Sequence, residues 1–306
     1  MKLLSASLIR GLIGQVVGTL VGMGFMLLIR LALGLQPWKP EPVWVVGSLF
    51  GVIAFVIGTG VLDDWFKWMR GESTPEAEAH YEPPIGLQQI VNLSYDHKVI
   101  GIQYGITSVL MLFVAGLFAI IFRTELISPG MQIMVPDVFN TYMSLHGIVM
   151  IFGMLLGVGA MSNFLVPLLI GANDMAFPRL NAFAYWINVP AVFLLLSTLF
   201  LGGIDAGWTA YPPLSANLGK MAFGMFFLGV YVFGLSSVLG ALNIIATTIR
   251  LRAPGMNPFR MPIFVWSALA TAIIALTATQ LIGLSFQLVL FERLFGMDFF
   301  NPNQGG

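Results

Sequence analysis

One histidine, His146, stands near one end of a long apolar run, HGIVMIFGMLLGVGAMSNFLVPLLIGANDMAFPRLN, and Asp174 lies in the turn at its other end. An ionisable group in hydrocarbon is costly, so a functional role is the first expectation for His146. Its imidazole nitrogen suits a haem iron, and Gly153, Gly157, Gly159 and Ala160 form a small-residue face that would admit a flat cofactor or a second helix. Hydrogen bonding of a neutral imidazole to a neighbouring helix fits the same residues.

A second group is polar and graded in depth. Asn163 precedes Asp174 by 11 residues, or about 16 Å along a helix at 1.5 Å per residue. Asn181 opens the next apolar run, and Ser236 and Asn243 are seven residues apart on one face of a later one, with Ser237 adjacent. Such side chains can hold a water file that carries protons away from an acidic collector, although interhelical hydrogen bonding would account for each taken singly. Arg123, in RTEL, suits a snorkelling interface arginine or a partner for an anionic group of a cofactor. GWTAYPPLSAN, residues 207–217, reads alone as an aromatic belt followed by a turn.

Positioning these groups falls to an all-α membrane protein. Hydrophobic residues make up 58% of the chain and charged ones 9%, against roughly a quarter charged in a soluble domain. Fourteen basic and fourteen acidic residues balance, so neither nucleic acid nor a polyanionic substrate is implied. Cysteine is absent, which removes disulfides and thiolate chemistry and leaves three histidines as strong nitrogen ligands. His80 lies in a polar loop and is expected to be solvated; His97, in DHK, is expected to be a cap or interface residue.

Seven apolar runs are near the ~20 residues needed to span hydrocarbon, at 8–35, 43–62, 99–122, 141–170, 183–203, 220–249 and 262–291. The first exceeds the about 7 to 15 residues of a signal-peptide core and is expected to be retained. QPWKPEP marks a turn between the first two, with Trp38 and Trp44 as interface anchors, and the Glu- and Pro-rich stretch from Asp63 to Lys98 is the clearest internal boundary. This divides the chain into a two-helix extension (1–62), a polar linker (63–95) and a five-helix region (96–306). Alternating the spans puts Lys2, Arg10, Lys67, Arg70, Lys98, Arg179, Arg250, Arg252 and Arg260 on one side, and Arg30, Lys39, Arg123, Lys220 and Arg293 on the other. The positive-inside rule then predicts that the N-terminus and Asp174 face inward.

From DHKVIG onward, RTEL, SLHGIVMIF, GANDMAFPRLN, GWTAYPPL, GLSSVLGALNIIATTI, MPIFVWS and FFNPNQGG occur in order over some 210 residues. Together they resemble subunit I of the haem-copper oxidases, the catalytic subunit of cytochrome c oxidase, over its helices I to V. The resemblance implies that His146 is an axial ligand of a low-spin haem, of haem a type, and that Arg123 approaches the haem periphery. It implies that Asp174 is the entrance of the D proton pathway, that Asn163, Asn181, Ser236, Ser237 and Asn243 line it, and that Tyr104 sits near its mouth. Trp208 and Tyr211 resemble the pair beside the oxygen-reducing centre. An energy-transducing membrane, the bacterial cytoplasmic membrane, is the implied location.

Three departures accompany the resemblance. The interval from His146 to Asn163 is about two residues shorter than in the family, which implies a local rearrangement of that helix. Gln280 replaces a proline common in the family, which implies a different bend. The sequence stops just before the segment that in the family brings the first copper ligand and the pathway's terminal glutamate. Helices VI to XII carry the other low-spin ligand, the high-spin haem ligand and the copper ligands, so this chain alone is expected to be inactive. Its expected partners are the rest of subunit I, as a continuation or a separate chain, with oxidase subunits II and III and cytochrome c or another donor. The two-helix extension is expected to dock another subunit. A quinol oxidase or nitric oxide reductase on the same scaffold, and a haem-free structural membrane subunit, are the competing readings; a secondary transporter is more distant, since its repeats are absent and it would leave these motifs unexplained.

Overall fold

The bundle takes its shape from helices too long and too apolar to be satisfied anywhere but in a membrane. The computed structural model describes residues 6–75, 86–217 and 219–306, so the expectation for His80 falls outside the described residues. In chain order, α1 is Ser7–Ala32, α2 Pro40–Thr59, α3 Asp63–Met69, α4 Leu87–Ile90, α5 His97–Glu125 and α6 Pro136–Ile170. Then come α7 Pro178–Trp186, α8 Asn188–Ser197 with a 3-10 turn at Thr198–Phe200, α9 Leu214–Asn217, α10 Ala222–Arg250 and α11 Ile263–Phe295. Seven spans result, α7 and α8 counting as one, and no strand occurs among the described residues. Apolar side chains remain exposed along the spans, Leu20 at 64% and Leu281 at 71% among them, as lipid-facing residues must. The chain is a multi-pass membrane protein.

Local sequence accounts for the helix ends. Asp96 caps α5 through a 2.7 Å bond from the Lys98 amide. Pro136 and Pro178 occupy first turns, where a missing N–H costs nothing. For this reason α6 begins five residues before the apolar run itself. Pro190 cannot donate to the carbonyl of Trp186, and the span from 178 to 200 breaks into two helices at Ile187. α6 continues through Pro167 as one helix and shows no interruption between His146 and Asn163, contrary to the rearrangement expected there. α11 likewise runs unbroken past Gln280.

α5 packs along α6, α10 along α11, and α1 along α2. Gly14, Gly18 and Gly22 on α1 lie directly against the backbone or first side-chain atoms of residues 47 to 55 on α2, where a Cβ would collide. The other face of α2 joins the main core: Val45, Val52 and Phe55 share one apolar cluster with Trp186, Leu194, Phe223 and Phe226. α2 therefore docks on its own chain. A second cluster, Val166, Ile170, Met175, Ile244, Val265 and Ala268, closes the Asp174 end of α6, α10 and α11.

Candidate functional site

His146 sits in the first third of α6 facing α5, half-buried, with Nδ1 2.9 Å from the carbonyl oxygen of Ala115 and its ring edge-on to Phe122 at 5.5 Å. A carbonyl can only accept, so Nδ1 carries a proton, and in the neutral imidazole this tautomer leaves the lone pair on Nε2. Metal-ligating histidines are held in this way, with one ring nitrogen anchored and the other presented. The donor chemistry therefore fits an axial haem ligand. Arg123, next to Phe122, is exposed and forms no salt bridge among the described residues.

Trp208 lies against the residue after His146. A Cβ on Gly147 would stand 3.0 to 3.1 Å from three Trp208 atoms, so any other residue would push the indole back by a few tenths of an ångström. Trp208 and Tyr211 line a cavity of about 460 Å³ together with Phe152, Phe233, Phe286 and Ser237. Its walls come from α6, α10, α11 and the 208–212 loop.

At the other end of α6, Pro167 lacks the N–H that would bond to the Asn163 carbonyl. His97 takes that carbonyl through Nδ1 at 2.8 Å. The expectation of a cap or interface role for His97 is thus corrected: Asp96 is the cap, and His97 is 1% exposed with its Nε2 unpaired among the described residues.

Asp174 meets the same place. Gly171 ends α6 in a left-handed conformation, and the following loop is fastened to α10 by bonds from the Ala176 amide to Thr247 Oγ1 and from the Phe177 amide to Asn243 Oδ1, both 2.9 Å. The Asp174 carboxylate accepts from the Met175 amide at 2.6 Å and faces the backbone of His97. Burial, chiefly, and the nearby Asp96 charge push its pKa up to about 7, while the Met175 and His97 amides oppose the rise. The 16 Å of depth expected between Asp174 and Asn163 is corrected as well. The helix stops at Ile170, and the loop brings Asp174 to His97, which itself holds Asn163.

From Asp174 the polar groups continue inside the bundle. Asn163 is 3% exposed and donates to the Gly159 carbonyl, leaving Oδ1 without a partner among the described residues; Asn181, at 1%, leaves both amide atoms without one there. Asn188 donates to Ser236 Oγ at 2.7 Å, and Ser236 donates to the Ala184 carbonyl at 2.6 Å. Tyr104 is not at the mouth: it lies against Gly159, one turn past Asn163, is 6% exposed and turns its hydroxyl toward Ser236 and Asn188. Asn163, Asn188, Tyr104, Ser236 and Ser237 border a cavity of about 90 Å³. Ser237 borders this cavity and the larger one, joining the polar file to the space under Trp208. Buried polar atoms without protein partners in a cavity of this size are the usual seats of ordered water. Asn243 differs from the others, since its amide is spent on both backbone groups of Phe177.

Asn188 and His97 went unrecognised as members of this set. The signal for Asn188 was present, since it follows Asn181 by seven residues, the same spacing that relates Ser236 to Asn243. The signal for His97 was the proline four residues after Asn163, which frees a carbonyl.

Comparison with known proteins identifies the family. Residues 99–306 match the family model for cytochrome c and quinol oxidase polypeptide I. Cytochrome c oxidase subunit 1 of Thermostichus vulcanus is 43% identical over 213 residues, covering 69% of this chain and 39% of the relative. That of Synechocystis is 44% identical over 212 residues (69% and 38%), and that of Corynebacterium glutamicum 42% over 218 (69% and 37%). The chain spans about two fifths of the length of these curated relatives. With two thirds of its length matched, the chain belongs to the cytochrome c and quinol oxidase polypeptide I family.

Proposed function

We propose that this chain forms the low-spin haem site and the proton inlet of a respiratory oxygen reductase's catalytic subunit, working with haem and copper in a complex with further oxidase subunits. The observation that carries the reading is the anchoring of His146 Nδ1 on the Ala115 carbonyl, which presents Nε2 as a ligand. Haem bound there would supply one-electron chemistry. His146 would hold it, Phe122 would keep the imidazole plane in place, and the Arg123 guanidinium would neutralise negative charge at its edge. Asp174 takes up protons at the inward face, and its raised pKa keeps both protonation states accessible near neutrality. Asn163, Asn181, Asn188, Tyr104 and Ser236 orient water between Asp174 and Ser237, beyond which Trp208 and Tyr211 wall the cavity where oxygen would be reduced. Asn243 contributes by fixing the inlet loop.

The test is a reduced-minus-oxidised visible spectrum of the purified intact complex, with and without carbon monoxide, in wild type and in His146→Ala. Loss of the low-spin signal in the variant is expected. An unaltered variant spectrum would defeat the ligand assignment, and absence of haem in the wild-type complex would favour a structural subunit. In Asp174→Asn the haem spectrum should persist while proton uptake and pumping fail; unchanged uptake would remove the inlet assignment.

A further inference from the structure

The linker between the extension and the oxidase-like region grips the inlet helix, chiefly at Arg179. Arg179, in the first turn of α7 and five residues after Asp174, places Nε 2.7 Å from Asp64 Oδ2 on α3. Its other donors reach the Pro75 carbonyl at 2.6 Å and Thr74 Oγ1 at 3.3 Å. Its guanidinium lies over the Trp68 ring at 5.0 Å and the Tyr95 ring at 5.6 Å, and Trp68 Nε1 donates to Thr74 at 2.8 Å. One helical turn further, Trp65 meets Phe183 at 5.3 Å between ring centroids. Asp64 is itself braced by Lys67 at 3.2 Å. Burial opposes its ionisation, but the hydrogen bonds from Arg179 and Lys67 prevail and hold the carboxyl below the ordinary carboxylate range, so it is an anion at neutral pH.

This grip has a place in the geometry of the inlet. The Asp174 loop is anchored to α10 on one side, through Thr247 and Asn243. On the α7 side it runs straight into Pro178 and Arg179, and Asn181 follows two residues later with its amide in the bundle, unpaired among the described residues. A first turn of α7 free to rotate would carry Asn181 and the loop with it. Most of the donors and acceptors that stop it come from residues 64 to 75, outside the segment matched by the family model.

We infer that Asp64 is a positioning residue for proton uptake: through Arg179 it holds the first turn of α7, and with it the Asp174 loop and Asn181, in register with the file. The extension and linker thereby form part of the inlet's scaffold. The inference rests on the inlet reading given above.

The experiment is proton uptake by the intact complex in liposomes. Small misplacements of a reacting group cost up to about 100-fold, so Asp64→Asn is expected to slow uptake about tenfold with the haem spectrum unchanged. Asp64→Glu, which keeps the charge, should recover uptake to within about twofold of wild type, the tolerance of a partly solvated ion pair. Wild-type uptake in Asp64→Asn, or no recovery in Asp64→Glu, would overturn the inference. If Asp64→Asn does not assemble, Trp68→Leu removes the stacking surface at a half-exposed position and should slow uptake in the same direction; unchanged uptake there would count against the inference equally. Asp174→Asn separates the two readings. Slow uptake in Asp174→Asn with normal uptake in Asp64→Asn rejects the positioning role alone, whereas normal uptake in Asp174→Asn rejects the inlet itself.

Discussion

The Trp208 indole packs against Gly147, the residue that follows His146, so closely that a methyl group there would displace it by a few tenths of an ångström. The contact joins the 207–213 loop to the turn of α6 that presents the imidazole. Gly147→Ala should therefore displace the indole or rotate that turn, at a cost of about 1–3 kcal/mol for overpacking. A lowered thermal midpoint with a shifted tryptophan emission and a shifted low-spin band is expected. A normal midpoint and unshifted bands would show that the loop yields without moving His146.

Asp174 should titrate near neutrality. With its pKa raised to about 7, the carboxyl is protonated below that value and ionised above it. An infrared carbonyl band of the protonated acid should fade as pH rises through about 7, and should be missing in Asp174→Asn. Proton uptake should decline over the same interval as the protonated fraction falls. A band that fades near the ordinary carboxylate range would mean that water reaches the group freely.

Asn188 offers a test of the file beyond its entrance. Asn188→Leu keeps the branching and heavy-atom count, removes the donor to Ser236 and to the Ala184 carbonyl and removes the unpaired Oδ1, while Ser236 retains the Ala184 carbonyl. Stability should change by about 1 kcal/mol, but proton uptake should slow severalfold with the haem bands unmoved. Normal uptake would take Asn188 out of the water file.

At the opposite end of α2, Arg293 is 3% exposed in its side chain and pairs with Glu41 at 2.6 Å while donating to the carbonyls of Ser215, Ala216 and Lys220. Arg293→Met leaves a half-buried carboxylate and three carbonyls without it, and should cost about 3–5 kcal/mol. Glu41→Gln keeps a hydrogen-bonding oxygen and should cost clearly less. Denaturant titration of the solubilised complex distinguishes them, and equal midpoints would show that the charge pair is not what holds α2 to α11.

Sequence by itself determined the membrane class, the seven spans and the chemical inventory, because lipid demands long apolar helices and leaves His146 and Asp174 conspicuous. Helix ends were legible where prolines and caps mark them. Tertiary structure alone decided which polar groups meet. Counting residues along α6 put Asn163 far from Asp174, yet the helix stops at Ile170 and the loop returns to His97, whose Nδ1 occupies the carbonyl freed by Pro167. Tyr104 moved from the mouth to the interior for a similar reason, since its depth is set by the register of α5 against Gly159. The extension, legible as two apolar helices, gave no sign that α2 would enter the main core or that Asp64 would reach Arg179 across 115 residues. Periodicity and composition report on contacts a few residues apart; the pairing of distant charges and carbonyls depends on how the helices pack, which no local pattern encodes.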